Sequence, residues 1–500
     1  MLLLLKRTLL ILALLLILAL AALAGYIAFG PVSSTAILHV LLGSGIESPD
    51  QSTIRQRLKL PSGFSLGVYA RGLKNVRFME FSETGDLVVT QPRQGRVVLL
   101  QRDNNSDGQH DGEQVLLDQL RRPHGLEFYQ GWLYIAESHA VGRVRFNHTK
   151  GTLEGPYEHI ITGLTDDGNH WSKSIRIGDD HLYVSMGSTC NVCEEDDPRR
   201  ATIMRFNADG SNGTIYATGL RNSVGLDFAP WDGSLYATDN GRDLLGDDYP
   251  VCELNKIEEG QFYGWPYINA FGDLDPDFSQ GHEHRLESAR SPVFGFAAHN
   301  APLGMRFVRN SQLPEHFHRS ALVALHGSWN RSQPDGYRVV SLHWQEDGSI
   351  TQQDFLSGFE LDGHVIGRPV DIAEGRDGCF YISDDYAGSI YRACYGIEQN
   401  LDDSDQQPRI DPLWQGLDKQ QRQQLVNAGR ILYENQGCAA CHRLQGRGAP
   451  SGKALEQLHQ RYGLAELQEY FLTPNPPMPQ YALPQAQRQQ LAAYLLQATR

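Results

Sequence analysis

Trp132-Leu133-Tyr134-Ile135-Ala136 is the stretch on which the fold turns. It is a short aromatic and β-branched run of the kind that forms strands. The same type of run returns as His181-Leu182-Tyr183-Val184-Ser185, Ser234-Leu235-Tyr236-Ala237-Thr238 and Cys379-Phe380-Tyr381-Ile382-Ser383. Around each, a short apolar segment leads into a polar turn, then the run, then Gly and a further strand. Units of this kind occupy residues 76–100, 124–146, 174–206, 224–254, 303–342 and 370–392. Several short strands per unit, repeated about six times, predict an all-β six-bladed propeller. Each unit is then a four-stranded blade that buries its faces only against its neighbours. A β-sandwich does not account for six similar units. Fifty glycines and 24 prolines supply the turns.

A second stretch, Cys438-Ala439-Ala440-Cys441-His442, has the C-x-x-C-H spacing of c-type haem attachment. Two thiols about one helical turn apart add to the haem vinyl groups, and His442 then offers its imidazole to the iron. Met478, in Pro476-Pro477-Met478-Pro479, is the expected second axial ligand. Residues 419–435 read as a helix with Leu425, Gly429, Leu432 and Tyr433 on about one face. Residues 484–498 read as another, with Leu491, Tyr494 and Leu495. A small residue beside an aromatic lets two such helices cross closely. A zinc site needs more Cys or His at ligand spacing, and a redox dithiol needs a βαβ context. The C-terminal part is therefore read as an all-α cytochrome c domain.

The remaining features bound the chain. Its formal charge of −15, with no basic stripe, argues against a nucleic-acid partner. Lys6-Arg7 precede an uncharged, mostly apolar run over 8–30, and no Lys or Arg follows until Arg55. That pattern predicts an N-terminal transmembrane helix with the rest exported, anchored to a bacterial inner membrane and facing the periplasm. A signal peptide cut near Ala21-Ala22-Leu23-Ala24-Gly25 is the alternative. The domains are then 1–30 anchor or signal peptide, 31–59 linker, 60–395 propeller, 396–415 linker and 416–500 cytochrome. Of seven cysteines, haem takes two. Cys190 and Cys193 suit a local disulfide in an oxidising compartment. Cys379 and Cys394 end two strand-like runs that a hairpin would bring together, and Cys252 is left over.

Some constellations could carry chemistry. Asp103, Asn105, Asp107 and Asp111, with Gly108, place oxygen ligands like the first half of a calcium loop. Gln114 stands where an EF-hand has its bidentate Glu, so the choice is a structural calcium in a turn or a solvated Asp-rich turn. His124, Asn169-His170-Trp171, Arg221-Asn222 and Arg368 each lie just ahead of an inner strand. Propellers gather such loops at one mouth. One general base beside Arg clamps for an anionic ligand is the chemistry that this recurrence suggests.

Several stretches resemble the sorbosone dehydrogenase family, relatives of the soluble quinoprotein glucose and pyranose dehydrogenases. They are Gly168-Asn169-His170-Trp171-Ser172, residues 187–195, Gly219-Leu220-Arg221-Asn222-Ser223, residues 246–255, Phe262-Tyr263-Gly264-Trp265-Pro266 and His326-Gly327-Ser328-Trp329-Asn330. The resemblance covers about residues 60–395. It implies a propeller that uses pyrroloquinoline quinone (PQQ) and calcium to oxidise sugars or related alcohols and aldehydes. On it, His170 matches the catalytic base, Arg221 and Asn222 lie near the quinone carbonyls, and Arg368 contacts the cofactor. Gly241 and Arg242 match a loop whose backbone oxygens hold calcium. The fifth-blade loop has no Lys where glucose-oxidising relatives have one, so Arg331 or His326 takes its place, and His124 joins the PQQ set. Cys252 stands where such chains have a polar residue. The expected protein is a quinohaemoprotein dehydrogenase that passes electrons from a sugar-like substrate through haem c to a respiratory acceptor. The alternatives are a non-catalytic propeller that binds sugar or a partner, and a metal-dependent lactonase propeller.

Overall fold

The computed structural model describes residues 45–397 and 419–444 and, beyond them, 448, 449, 455, 458, 464–472, 474, 478, 479, 481 and 483–499. It divides into two compact units, Met1–Leu401 and Asp402–Arg500.

The first unit holds six four-stranded antiparallel sheets. Their inner strands are Met79–Phe81, Leu126–Tyr129, Ile175–Gly178, Ser223–Phe228, Pro302–Phe307 and Pro369–Glu374. Each inner strand touches the next, and the sixth touches the first, so the sheets form a closed ring of blades. In the sixth blade the outer strand comes from the other end of the chain. Phe64–Ala70 pairs with Ser389–Tyr395, with Phe64 opposite Tyr395, Leu66 opposite Ala393 and Val68 near Tyr391. Residues 51–57, inside the stretch read as a linker, form a helix, α1 (Gln51–Arg57). Asp50 caps it by accepting from the Thr53 N–H at 2.8 Å, and Ile54 is fully buried in the core with Phe355, Phe359 and Tyr391.

Charges line the ring's inner strands toward the turns that hold Asp179, Gly233 and Arg376. Arg176 reaches Glu127 at 2.8 Å and Glu80 at 3.3 Å, and Arg306 reaches Glu80 at 2.9 Å. These residues come from four different blades. Two guanidiniums pull the Glu80 carboxyl down against its burial, while burial pushes Glu127 up to about 7. Removing one partner of such a buried network typically costs about 3–5 kcal/mol.

Both expected disulfides are present, Cys190–Cys193 and Cys379–Cys394. Cys379 and Cys394 sit across the sheet from one another because Phe380 pairs with Ala393. Cys252 is explained by packing. It lies in the strand Cys252–Ile257, buried with Tyr236, Leu254 and Phe296, and burial pushes its thiol up to about 11.

The second unit contains α2 (Lys419–Asn435), α3 (Leu464–Tyr470) and α4 (Gln485–Ala498). The helices α2 and α4 cross where the sequence predicts. Tyr433 and Tyr494 have ring centroids 5.6 Å apart. A Cβ on Gly429 would fall on the Gln490 carbonyl and lie 2.6 Å from Tyr494 Cβ.

The N-terminal transmembrane helix is a correction to the expected fold class. Among the described residues no helix is long and apolar enough to cross a membrane. The run over 8–30 that carried the expectation lies outside the described residues. The inner membrane as a partner, and a periplasmic location secured by that anchor, are corrected with it. The 396–415 linker is described only at its first two residues.

Replacing Gly429 by Ala tests the helix crossing. Ala is the better helix former by about 1 kcal/mol, yet the new methyl meets fixed backbone on α4. The variant is expected to lower the stability of the second unit by about 1–3 kcal/mol, read as a fall in the denaturant midpoint of its helical circular dichroism.

Candidate active site

The segments that precede the inner strands meet in two groups. The first is built around His170. Its Nδ1 lies 3.0 Å from Ser188 O and 2.9 Å from Ser188 Oγ. Ser188 Oγ itself donates to Cys190 O at 2.7 Å, so Nδ1 carries the proton and donates to the carbonyl. Nε2 is thereby left with the lone pair. Burial, with Arg221 and Arg200 nearby, lowers the imidazole to about 3, so it stays neutral. Two glycines make this placement possible. Gly168 adopts φ +74° with its Cα against the Thr189 carbonyl, and a Cβ on Gly187 would lie 2.6 Å from His170 Cβ and 2.8 Å from Asn222 Oδ1. Gly187 therefore brings His170 and Asn222 side by side. Arg200 ties the loops by donating to the carbonyls of Gly187, Thr165, Asp167, His170 and Ser188.

Arg221 and Asn222 are fixed by Asp239, whose carboxylate accepts both backbone N–H groups at 2.9 and 2.6 Å. Burial pushes that carboxyl up to about 7. The Arg221 guanidinium is fully engaged. It donates to Asn191 O, Asn191 Oδ1, Asn240 O, Gly241 O and Asp243 Oδ2. The Gly241 carbonyl, expected to face calcium, thus accepts from Arg221 at 2.9 Å. The Arg242 side chain turns to Asp275, at 2.5 Å, and to Asp277. In this structure the Arg221 guanidinium holds the 240–243 loop.

The second group joins four blades. His326 Nε2 meets Asp385 Oδ1 at 2.9 Å, and Arg77 Nη1 donates to Asp385 Oδ2 at 2.6 Å. Arg77 Nε donates to His124 Nε2 at 3.3 Å. His124 is fully buried, packed on Phe78 at 4.3 Å and edge-on to Trp171 at 6.1 Å. Arg368 donates to the carbonyls of His326 and Gly327 and lies over the Tyr337 ring. Burial and neighbouring guanidiniums lower His326 to about 4 and hold His124 well below the ordinary imidazole value. Trp171, next to His170 in the chain, links the two groups.

Other expected residues lie elsewhere. Arg331 donates to Asp247 O, Ala298 O and Asp248, pinning the 246–248 loop. In the Asp-rich turn, Asp103 and Asn105 accept from the Asp107 N–H, and Asp111 accepts from Asn104. Its carboxylates are not among the ligand clusters of the described residues.

Three residues were not foreseen. Arg77 stands just ahead of the first inner strand, so the recurrence that picks out His124, Arg221 and Arg368 picks it out too. Asp385 lies in a hairpin turn with no chemical signature. Lys173 is fully buried with its Nζ on Trp171 O at 2.9 Å, and burial lowers it to about 7. Among the described residues, neither Lys173 nor Arg368 has a carboxylate within salt-bridge distance. The Arg368 guanidinium thus keeps its charge at the mouth for an anionic ligand, which fits PQQ.

In the cytochrome unit, Cys438, His442 and Met478 line one cavity with Tyr433, Leu467 and Leu491. Cys438 and Cys441 are in no disulfide. An apolar cavity with these three groups on its wall fits a haem held by thioethers and by a His/Met axial pair.

A six-bladed ring with a basic mouth, followed by a cytochrome c unit, is the architecture of a PQQ-dehydrogenase-like propeller fused to an electron carrier. The sequence matches the TrAA12-like family over residues 58–273 and 274–393, and the chain belongs to that family. Residues 426–499 match cytochrome c. The chain is 22% identical over 418 residues to the PQQ-dependent pyranose dehydrogenase of Coprinopsis cinerea, covering 69% of this chain and 56% of that protein. It is also 22% identical over 411 residues to a PQQ-dependent sugar dehydrogenase of Hypocrea jecorina, covering 68% of this chain and 89% of that one. A solved Trichoderma reesei family AA12 structure matches 70% of this chain and all of its own, with TM-score 0.61 and 21% identity, which shows the shared fold. The family match supports an oxidoreductase role.

The neutral imidazoles have a consequence for stability. His326 binds its proton less tightly in the folded chain, at about 4, than in the unfolded chain, near 6.5. The unfolded chain therefore takes up this proton first as pH falls. The contribution is fully present above about pH 6.5 and drains away toward pH 4. His326→Gln keeps a hydrogen-bond donor for Asp385 and cannot titrate. Relative to wild type, it is expected to gain stability as the pH drops from 6.5 to 4, read from propeller denaturation midpoints of both proteins at the two pH values.

Proposed function

We propose that the propeller is a PQQ-dependent dehydrogenase for a sugar or a related alcohol or aldehyde, and that its electrons pass to haem c on the same chain. The observation that supports this best is His170, a neutral imidazole with Nδ1 occupied, set beside Asn222 at a mouth where Arg368 has no carboxylate within salt-bridge distance among the described residues. PQQ, when bound, supplies a two-electron acceptor and three carboxylates, and haem supplies one-electron steps. Arg368 offers charge-assisted hydrogen bonds to such carboxylates, and Lys173, fully buried, holds the Trp171 carbonyl. His170 Nε2 accepts the proton of the substrate hydroxyl, and its Nδ1–H on Ser188 O holds the ring in the tautomer that this requires. Asn222 orients the reacting group through its side-chain amide. Arg221 acts as a positioning residue, fixing the 240–243 loop rather than clamping the ligand. Arg77, His124 and His326 form a buried network tied together through Asp385. Cys438 and Cys441 would hold the haem covalently, and His442 and Met478 would supply its iron ligands. The Gly241 carbonyl already accepts from Arg221, and no step in this scheme is assigned to calcium.

That same engagement of Arg221 and Gly241 favours a second reading, a propeller that binds a sugar or a partner without turning it over. The domain limits proposed for either reading are 60–395 for the propeller and 416–500 for the cytochrome, with 396–415 between them. One chain carrying both units keeps their mutual concentration high.

The test is haem-loaded protein supplied with PQQ and a panel of aldoses, with the haem absorption followed. Reduction that requires both PQQ and substrate is the expected result. His170→Ala is expected to slow it by about 10²–10⁴-fold. Sugar binding with no haem reduction supports the second reading, and lactone hydrolysis without reduction would point to a hydrolase.

A further inference from the structure

We propose that Glu137, His139 and His159 form a site for a divalent first-row transition ion, zinc in the first instance, on the rim of the second blade. The register of the sheet assembles it. Glu137 and His139 lie in the turn between Trp132–Ala136 and Val141–Asn147, and His159 lies on Thr152–Ile161 opposite Gly142. One ligand atom from each residue lies within 4.8 Å of the others.

The carboxylate is buried and oriented. Glu137 Oε2 accepts from the Arg121 N–H at 2.6 Å, and Oε1 accepts from Tyr157 OH at 3.0 Å. Such outer partners aim a ligand and raise metal affinity. No Lys or Arg side chain neutralises Glu137 among the described residues. The guanidiniums of Arg121 and Arg122 are paired with Asp166 instead, at 2.9 and 2.8 Å. The imidazoles face each other edge-on, 5.6 Å apart. The Nδ1 of His139 is a buried nitrogen without a hydrogen-bond partner, an unfavourable state that a bound cation would relieve.

Two imidazoles and one carboxylate, with further positions left to water, suit zinc and its neighbours. At present His159 Nε2 sits 2.6 Å from Oε1 as a hydrogen bond. Two ligands on one tetrahedral ion stand about 3.3 Å apart, given metal–ligand bonds of about 2.0–2.1 Å. His159 would therefore move back by under about 1 Å and give up the shared proton. Its place on an outer strand, with 37% of the side chain exposed, allows that. The ion would staple this strand to the turn whose His139 carbonyl accepts from the Leu164 N–H, at the start of the segment leading to His170.

Zinc titration of untagged, haem-loaded full chain tests this, with cobalt(II) absorption as a second probe of the ligand field. Wild type is expected to bind one ion at this site. His159→Ala and His139→Ala should each weaken it by more than about 100-fold, beyond what outer partners carry, and His181→Ala should leave it unchanged. Zinc should raise the thermal midpoint of wild type but not of His159→Ala. The proposal falls if wild type binds no zinc, or if both variants bind it with wild-type affinity and cobalt spectrum.

Discussion

The pairing of Phe64–Ala70 with Ser389–Tyr395 closes the ring, and every other feature of the first unit depends on it. A blade buries its faces only against its neighbours, so an open ring would leave the first and sixth blades each with a bare face. Backbone hydrogen bonds between strands more than 300 residues apart lock the circle. The Cys379–Cys394 disulfide fastens the two middle strands of the same blade, and closing a loop of that size is worth about 3 kcal/mol in the chain-entropy picture. The reinforcement sits where the two ends of the repeat meet.

Closure also makes the site. His170, Arg221, His326 and Arg368 are spread over 199 residues of chain, and only a closed ring brings their loops to one mouth. Within it, burial decides the charge state of each group. Imidazoles are pushed to their neutral form, which suits a proton acceptor, and the amine of Lys173 is pulled toward neutrality with them. Arginines resist this and keep their charge, satisfied by backbone carbonyls. Arg200 and Arg221 accordingly serve as internal struts, each organising several loop carbonyls at once.

Much of the fold was legible because its signals are local. The repeating Leu-Tyr runs mark second strands, and the C-x-x-C-H spacing of Cys438, Cys441 and His442 is read from five consecutive residues. Gly429 beside Tyr433 predicted a close helix crossing, since a missing Cβ has the same meaning in any context. The site was legible only in part. The rule of residues ahead of inner strands found His124 and Arg368, and it applies equally to Arg77. It could not show that Arg331 faces Asp247 and Asp248, because a guanidinium's partner is a matter of geometry. The Glu137, His139 and His159 cluster was invisible for the same reason: only the sheet register, with His159 opposite Gly142, brings the third residue to the turn that holds the other two.

The amino-acid sequence by itself determined the strands, the repeat of six and the covalent haem motif, all of which follow from steric preference and covalent spacing within a few residues. Only the tertiary structure decided that the first strand completes the last blade, that the Gly241 carbonyl meets a guanidinium and that Cys252 fills an apolar gap. Those outcomes depend on which groups, distant along the chain, come within a few ångströms once the ring has closed. Hydrogen bonding and burial act on that proximity, and it appears only with the fold.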